Sequence, residues 1–149
     1  MGCDIHLHTE IKLDGVWHHY NAPHIRRMYA LFSLMANVRN VHLDNKDYIV
    51  PISLPKGLPE DLSVITQLSY NRWELDAHNM SWFNAEEIFL LEEWMAKNAP
   101  SFVREFDNWG FLFGNDWGGF HSWDRTDYDG YYEYPPEIED IRFIFWFDN

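Results

Sequence analysis

The chain has little of what secreted, disulfide-bonded and membrane proteins contain. Cys3 is the single cysteine among 149 residues, so no intramolecular disulfide can form, which is typical of a reducing compartment. The longest fully apolar run, 143–147, is too short to cross a bilayer, and no basic stretch followed by an apolar run marks a signal peptide. We therefore expect a cytoplasmic protein that makes no contact with membranes.

Basic residues are also scarce. Eleven Lys and Arg stand against 24 Asp and Glu, which gives a formal net charge of −13. Such a chain repels phosphates, so nonspecific nucleic-acid binding is not expected. The absence of a Walker loop, a Gly-x-Gly-x-x-Gly motif and a Gly-x-Ser-x-Gly elbow argues against standard nucleotide and α/β-hydrolase sites. Two alternatives remain for an acidic chain. A bound metal ion reverses the negative electrostatic potential at its site, or the acidic surface imitates nucleic acid toward a basic partner.

Aromatic residues, in contrast, are abundant. Trp, Tyr and Phe make up 18% of the chain, and their side chains bury enough area to build a core without disulfides. The length fits one domain that spans residues 1–149. The mixed order of helical and strand patterns predicts an α+β fold, mainly an antiparallel sheet with about three helices packed on it.

The first strand and its turn have the clearest local signals. Residues 3–13 alternate between apolar and polar side chains, as a β-strand with two different faces does. Asp14-Gly15 is typical of a two-residue hairpin turn, and the return strand is predicted over Val16–Tyr20. A turn at this point pairs Glu10 with His19 across the hairpin.

Apolar periodicity and capping residues predict three helices, and a final apolar run predicts a central strand. The predicted helices are Ile25–Val38, Pro59–Trp73 and one from the Asn84/Glu87 capping pair to about Asn98, and the predicted strand is Ile141–Phe147. Residues 101–140 are predicted to form short strands and aromatic-rich loops, with turns at Gly118-Gly119 and Asp129-Gly130.

The polar face of the first strand is the best chemical lead. Asp4, His6, His8 and Glu10 line up along it, and imidazole and carboxylate groups bind metals or carry protons. The alternative is an ordinary strand with one face in solvent.

A second group, Asp76 and His78, precedes the third helix in a segment that we expect to be irregular. If this loop meets the first strand, Asp4, His6, Asp76 and His78 form a mixed His/carboxylate site for zinc or manganese, as in hydrolytic centres. His8 is then a further ligand or a base. The alternative is that Asp76 and Ser81 make local turn bonds and His78 lies at the surface.

The scarce cations are candidates for neutralising a bound anion. Arg39 and Lys56 flank a proline-containing loop, and we select Arg39 as catalytic. Lys56, Ser81 and Trp82 are selected as ligand-binding residues. The alternative is that these cations form salt bridges to the abundant acids.

Two single residues are weaker candidates. Cys3 can act as a nucleophile, although its position on the apolar strand face favours an inert buried thiol. His121 lies among aromatic residues, where a structural role is the more common one.

Two resemblances accompany these motifs. Asp4-Ile5-His6-Leu7-His8-Thr9 is similar to the first-strand Asp-x-His-x-His signature of polymerase-and-histidinol-phosphatase-type phosphoesterases. The chain also resembles, over most of its length, a family of small bacteriophage proteins that begin Met-Gly-Cys-Asp-Ile-His. The matching pieces are Met1–His6, Val38-Arg39-Asn40, Pro51-Ile52, Gly57-Leu58-Pro59, Asp76–Trp82 and Phe147-Asp148-Asn149. This resemblance implies a phage or prophage origin and an accessory role against host defences.

The leading functional hypothesis is a phage accessory protein that hydrolyses a phosphate ester or nucleotide with a divalent metal. Its partner is then a small phosphorylated molecule. The alternative is a non-catalytic acidic protein that sequesters a nucleotide or inhibits a basic host protein. A virion component is a third option, which the lack of repeats and heptads disfavours. No oligomeric state is predicted.

Overall fold

The computed structural model describes residues 2–40, 48–98 and 137–149. The described elements are four strands and three helices in mixed order, which confirms the predicted α+β class. They are β1 (Asp4–Leu13), β2 (Val16–Asn21), α1 (Tyr29–Ala36), α2 (Val64–Trp73), β3 (His78–Asn84), α3 (Ala85–Asn98) and β4 (Asp140–Asp148). The structure of residues 101–136, which include His121 and the turns predicted at Gly118-Gly119 and Asp129-Gly130, lies outside the described part.

The four strands form one antiparallel sheet in the order β2-β1-β4-β3. The prediction that the last strand is central is confirmed, since β4 lies between β1 and β3. The β1–β2 hairpin is confirmed as well: Asp14 and Gly15 have φ angles of 49° and 75°, and Glu10 pairs with His19. Both turn residues thus adopt the positive φ that this turn requires.

The two faces of the sheet carry different side chains. Odd-numbered residues of β1 and β4 form the apolar core with α1 and α3; examples are Leu7, Phe145, Phe32 of α1 and Leu91 of α3. The even-numbered residues point to the opposite face, which α2 covers. The sheet is therefore sandwiched, with an apolar layer on one side and a largely polar layer on the other.

The helix ends differ from the predicted ones for local reasons. Helix α1 ends two residues early because Asn37 adopts a left-handed conformation, and its N–H donates to the carbonyl of Ser33 at 2.9 Å. Helix α2 begins at Val64 and not at Pro59, since Asp61 and Ser63 bind side chains of the sheet instead.

The third helix follows the prediction closely. The N–H of Glu87 donates to Asn84 Oδ1 at 2.9 Å, and the N–H of Asn84 donates to Glu87 Oε1 at 3.1 Å. This reciprocal pair is a capping box that satisfies two backbone donors at the start of the helix.

The segment expected to be irregular before α3 is in fact the edge strand β3. Its pairing with β4 shifts between His78 and Ser81, where Asn79 adopts a positive φ of 52°. This bulge interrupts the alternation of side chains and hides the strand in the sequence. No helix in the described ranges is long and apolar enough to cross a membrane.

Candidate active site

The polar face of β1 is the floor of the candidate site. Asp4, His6, His8 and Glu10 share this face as predicted, but the face is not simply in solvent. His8 is 6% exposed and Glu10 is fully buried, because α2 lies over them. Buried polar groups need partners, so each contact of these side chains has consequences for stability.

The two predicted metal ligands of β1 contact different partners. Asp4 accepts hydrogen bonds from the guanidinium of Arg27 at 2.6 and 3.0 Å, and these bonds hold the pKa of Asp4 below its usual value. His6 Nε2 lies 2.5 Å from Asp148 Oδ2, and its ring lies 4.1 Å from that of Trp73 in α2.

The other two predicted ligands lie apart from this pair. His78 Nε2 contacts Asn149 Oδ1 at 3.2 Å, and its ring stacks 6.2 Å from Phe147, which faces the apolar core. His6 is on the opposite face of the sheet, and Asp76 is exposed in the turn after α2. In residues 2–40, 48–98 and 137–149, no three His, Cys, Asp or Glu side chains gather to hold a metal. The predicted four-ligand centre is therefore not assembled there, because His78 lies on the face of the sheet opposite Asp4 and His6, and Asp76 lies in a turn.

The predicted cations have structural partners. The guanidinium of Arg39 lies 5.6 Å from the ring centre of Tyr29, and its Nη2 donates to Asn149 Oδ1 at 3.4 Å. Cys3, nearby, is fully buried, and burial raises the pKa of its thiol against the opposing effect of Arg39. A protonated, buried thiol fits the inert role and not the nucleophile.

The structure brings together the three residues predicted to bind ligand. The N–H of Lys56 donates to Ser81 Oγ at 3.0 Å, and Lys56 Nζ lies 3.8 Å from the ring centre of Trp82. Lys56 Nζ also forms an ion pair with Glu87 Oε1 at 2.6 Å. The charge of this lysine is thus already balanced by Glu87 and by the indole.

A chain of three side chains forms the chemical centre of the α2-covered face. Ser69 of α2 lies 3.0 Å from His8, measured from Oγ to Nε2. His8 Nδ1 lies 2.9 Å from Nε2 of His19, on the adjacent strand β2. We call Ser69, His8 and His19 the relay. A hydroxyl, a base and a group that orients the base are the components of an activated nucleophile.

The environment of the relay keeps its imidazoles neutral. Burial lowers the pKa of His8 to about 4, helped by the neighbouring His19, while the charge of Glu10 opposes the shift. Burial also lowers the pKa of His19, again against Glu10. Near pH 7 His8 is therefore neutral, which leaves one ring nitrogen as a hydrogen-bond acceptor, and Glu10 offsets part of the cost of protonating it.

Glu10 also holds α2 in place over the relay. Glu10 Oε2 accepts hydrogen bonds from the N–H and hydroxyl of Ser63 and, at 2.6 Å, from the hydroxyl of Thr66. Its Oε1 binds Arg142 Nε at 2.8 Å, and Arg142 also binds Asp61 Oδ1 at 2.8 Å. This network is a charged clamp that connects β1, β4 and the start of α2.

Trp146 forms an aromatic wall between the histidines. Its ring stacks on His8 at 5.2 Å and on His6 at 5.9 Å, and Tyr70 of α2 meets it edge-on at 5.3 Å. Trp146 is fully buried, and its Nε1 has no hydrogen-bond partner in the described part of the chain. A buried donor without a partner is costly unless something binds it.

Sequence reasoning identified His8 as a candidate base and His19 as a neighbour of Glu10, but it missed Ser69. A signal for Ser69 was present: Ser63, Thr66 and Ser69 repeat at intervals of three, which puts hydroxyls on one side of a helix. Such a stripe marks a helix that buries polar groups.

Comparison with protein-family models, curated proteins and solved structures found no match to this chain. Function is therefore inferred from the chemistry of the described residues alone.

Proposed function

We propose that this protein is a hydrolase of uncharged carboxylic esters in which Ser69 is the nucleophile and His8 the general base. The single observation that carries the proposal is the hydrogen-bonded chain from Ser69 Oγ through His8 to His19, at 3.0 and 2.9 Å. Both distances are within the range of productive proton transfer.

The proton path follows from the tautomers that this chain requires. His8 Nε2 accepts the hydroxyl proton of Ser69, so His8 Nδ1 carries the other proton and donates it to His19. His19 therefore fixes the ring and tautomer of His8, as the third member of a catalytic triad does.

The reaction has two balanced steps. Ser69 Oγ attacks the carbonyl carbon as its proton passes to His8 Nε2; the alcohol then leaves with that proton, and an acyl-serine remains. Water attacks the acyl-serine and gives a proton to His8 Nε2. Ser69 Oγ takes that proton back as the carboxylic acid departs.

The carboxylate of Glu10 supports the role of His8 in both steps. His8 becomes positively charged in each transition state; burial disfavours that charge, and Glu10 offsets part of this effect.

An uncharged ester fits this face better than a phosphate ester does. The chain carries a net charge of −13, and Arg142, the cation of the clamp, is balanced by Glu10 and Asp61. Lys56 and Arg39, the cations predicted to neutralise a phosphate, have partners of their own. The resemblance to phage proteins suggests an accessory role for this activity in an infected cell.

A fluorophosphonate probe tests the proposal directly, because it forms a covalent bond only with an activated serine. Intact mass followed by peptide mapping is expected to locate one adduct at Ser69, and Ser69→Ala and His8→Gln are expected to abolish it. Hydrolysis of p-nitrophenyl butyrate is expected to be lost in the same two variants.

Ser53→Ala is the matched control, since Ser53 Oγ lacks a hydrogen-bond partner in the described ranges and its removal breaks no bond there. It should label and turn over like the wild type. A folded protein that leaves Ser69 unlabelled, or labels it equally well in His8→Gln, overturns the proposal. Circular dichroism establishes which variants are folded.

A further inference from the structure

Helix α2 is turned the opposite way from an ordinary surface helix. Its sheet-facing side carries Thr66, Ser69 and Tyr70, which bind the polar residues of β1 and β4. Its outward side carries three apolar residues next to polar ones: Val64, Ile65 and Leu68 are 73%, 54% and 54% exposed. Gln67, Asn71 and Arg72 are the exposed polar residues of the helix. Amphipathic helices normally place the apolar side against the protein.

The outward apolar residues form one contiguous surface. Val64 and Ile65 precede Leu68 by four and three positions, so their side chains are neighbours on the helix. We call Val64, Ile65 and Leu68 the docking face. Side chains of this kind lose hydration when a partner covers them, which favours association.

Acidic residues border the docking face at both ends. Glu60 and Asp61 come before α2, and Glu74 and Asp76 come after it, all of them exposed. Within the helix, Arg72 is a single opposing charge. A ten-residue helix is about 15 Å long, so the two acidic ends are about three helical turns apart.

We propose that the docking face binds an amphipathic helix of a basic protein partner. That helix would present an apolar stripe to Val64, Ile65 and Leu68, and Lys or Arg residues about ten positions apart to the two acidic ends. The net charge of −13 disfavours a second copy of this chain as the occupant, since two such surfaces repel each other. This inference goes beyond the proposed hydrolase and does not depend on it.

A designed peptide tests the docking face. The probe is an 18-residue capped helix with leucines on one face and a lysine pair near each end, ten positions apart; a scrambled peptide of equal composition is its control. In 150 mM salt, fluorescence anisotropy is expected to show binding of the probe at least tenfold tighter than of the scrambled peptide.

Three variants separate this site from general charge attraction. Replacing Val64, Ile65 and Leu68 by Ser should weaken probe binding at least tenfold, and Glu60→Gln with Glu74→Gln should also weaken it. Glu86→Gln with Glu93→Gln removes the same charge from exposed positions of α3, across the sheet, and should change nothing. Ser69→Ala should bind the probe normally, which keeps this test independent of the esterase test.

Several outcomes overturn the proposal. Equal binding of the scrambled peptide, equal weakening by the α3 variant, or no binding at all would show that the face does not recognise a basic helix. A further outcome is a dimer of this chain, detected by sedimentation, that is lost when Val64, Ile65 and Leu68 are replaced by Ser. That result would instead identify a second copy as the occupant.

Discussion

Glu10 and Arg142 face each other across the β1–β4 ladder and form an ion pair almost without access to solvent. Arg142 Nη2 lies 2.7 Å from Glu10 Oε1, and the two side chains are 5% and 0% exposed. The same carboxylate binds Ser63 and Thr66, so the pair also fixes where α2 lies. The position of Ser69 over His8 depends on this contact.

Removing Arg142 should therefore destabilise the fold strongly. Arg142→Met leaves Glu10 buried without its counter-ion, and we expect a loss of about 3–5 kcal/mol in the free energy of unfolding, measured by urea denaturation. The double variant Glu10→Leu with Arg142→Met should recover part of that loss, because no buried charge remains, while Ser63 and Thr66 lose their acceptor. Lys56→Met is the comparison for a partly exposed pair and should cost about 1 kcal/mol or less. A similar cost for Arg142→Met and Lys56→Met would contradict this account.

Protonation of His8 should make stability depend on pH between about 6.5 and 4. The folded protein holds the pKa of His8 at about 4, below its ordinary 6.5, so the unfolded chain binds more protons in this window. Stability is then full above pH 6.5 and decreases by on the order of 3 kcal/mol as the pH falls to 4. His19, whose pKa is also lowered, adds to the slope in the same direction.

Urea denaturation at a series of pH values measures this slope, and His8→Gln should remove most of it. The lowered pKa values of Asp4 and Asp61 affect stability only below about pH 5, so the slope between about pH 6.5 and 5 reports on the histidines. An unchanged slope in His8→Gln would mean that His8 is not the group that titrates.

His19 should matter for turnover and not only for packing. His19→Asn removes the acceptor that orients His8, and we expect kcat/KM for p-nitrophenyl butyrate to fall by about 10²-fold or more. His18→Asn changes the adjacent, exposed histidine of β2 and should retain wild-type kinetics. Equal effects of both substitutions would count against a relay.

The hairpin turn offers a test of backbone conformation alone. Gly15 has φ of 75°, and a methyl group added there meets nothing within 4 Å. Gly15→Ala should thus lower the free energy of unfolding by about 1–2 kcal/mol. The cause is the strain of alanine in a left-handed conformation and not a clash. Gly15→Asn, a residue that tolerates this conformation better, should cost less. A lower Tm for Gly15→Asn than for Gly15→Ala in thermal denaturation would refute the turn geometry.

Chelation tests the metal prediction. Asp4 and His6 bind Arg27 and Asp148, and His78 lies on the other face of the sheet, so we expect EDTA to leave the Tm unchanged. Elemental analysis of protein purified without a histidine tag provides the matching measurement. Stoichiometric zinc or manganese whose removal lowers the Tm would show that these side chains rearrange around an ion.

Local signals in the sequence were sufficient for part of the fold. The Asp14-Gly15 turn, the Asn84/Glu87 capping box and the unbroken apolar run of β4 each depend on neighbours in sequence, and each prediction is confirmed. The start of α2 was wrong by five residues because Asp61 is held by Arg142, a contact that no local pattern reveals.

The site was harder to predict because its residues come from three distant parts of the chain: the β1–β2 hairpin, α2 and β4. The alternation of β1 correctly placed His6 and His8 on one face. The bulge at Asn79 concealed strand β3, and with it the fact that His78 faces the apolar core. Ser69 was missed since its importance arises only when α2 packs with its hydroxyls inward.

The order of the strands has a consequence for how this protein is made. β4 completes the centre of the sheet, yet Arg142 is 132 positions after its partner Glu10. While the ribosome is still producing the intervening chain, β1 has no partner strand on the edge where β4 will pair. The apolar face of the β1–β2 hairpin is then exposed to solvent. Pairing over such a separation is slow, so we expect the nascent chain to be prone to aggregation until β4 is made.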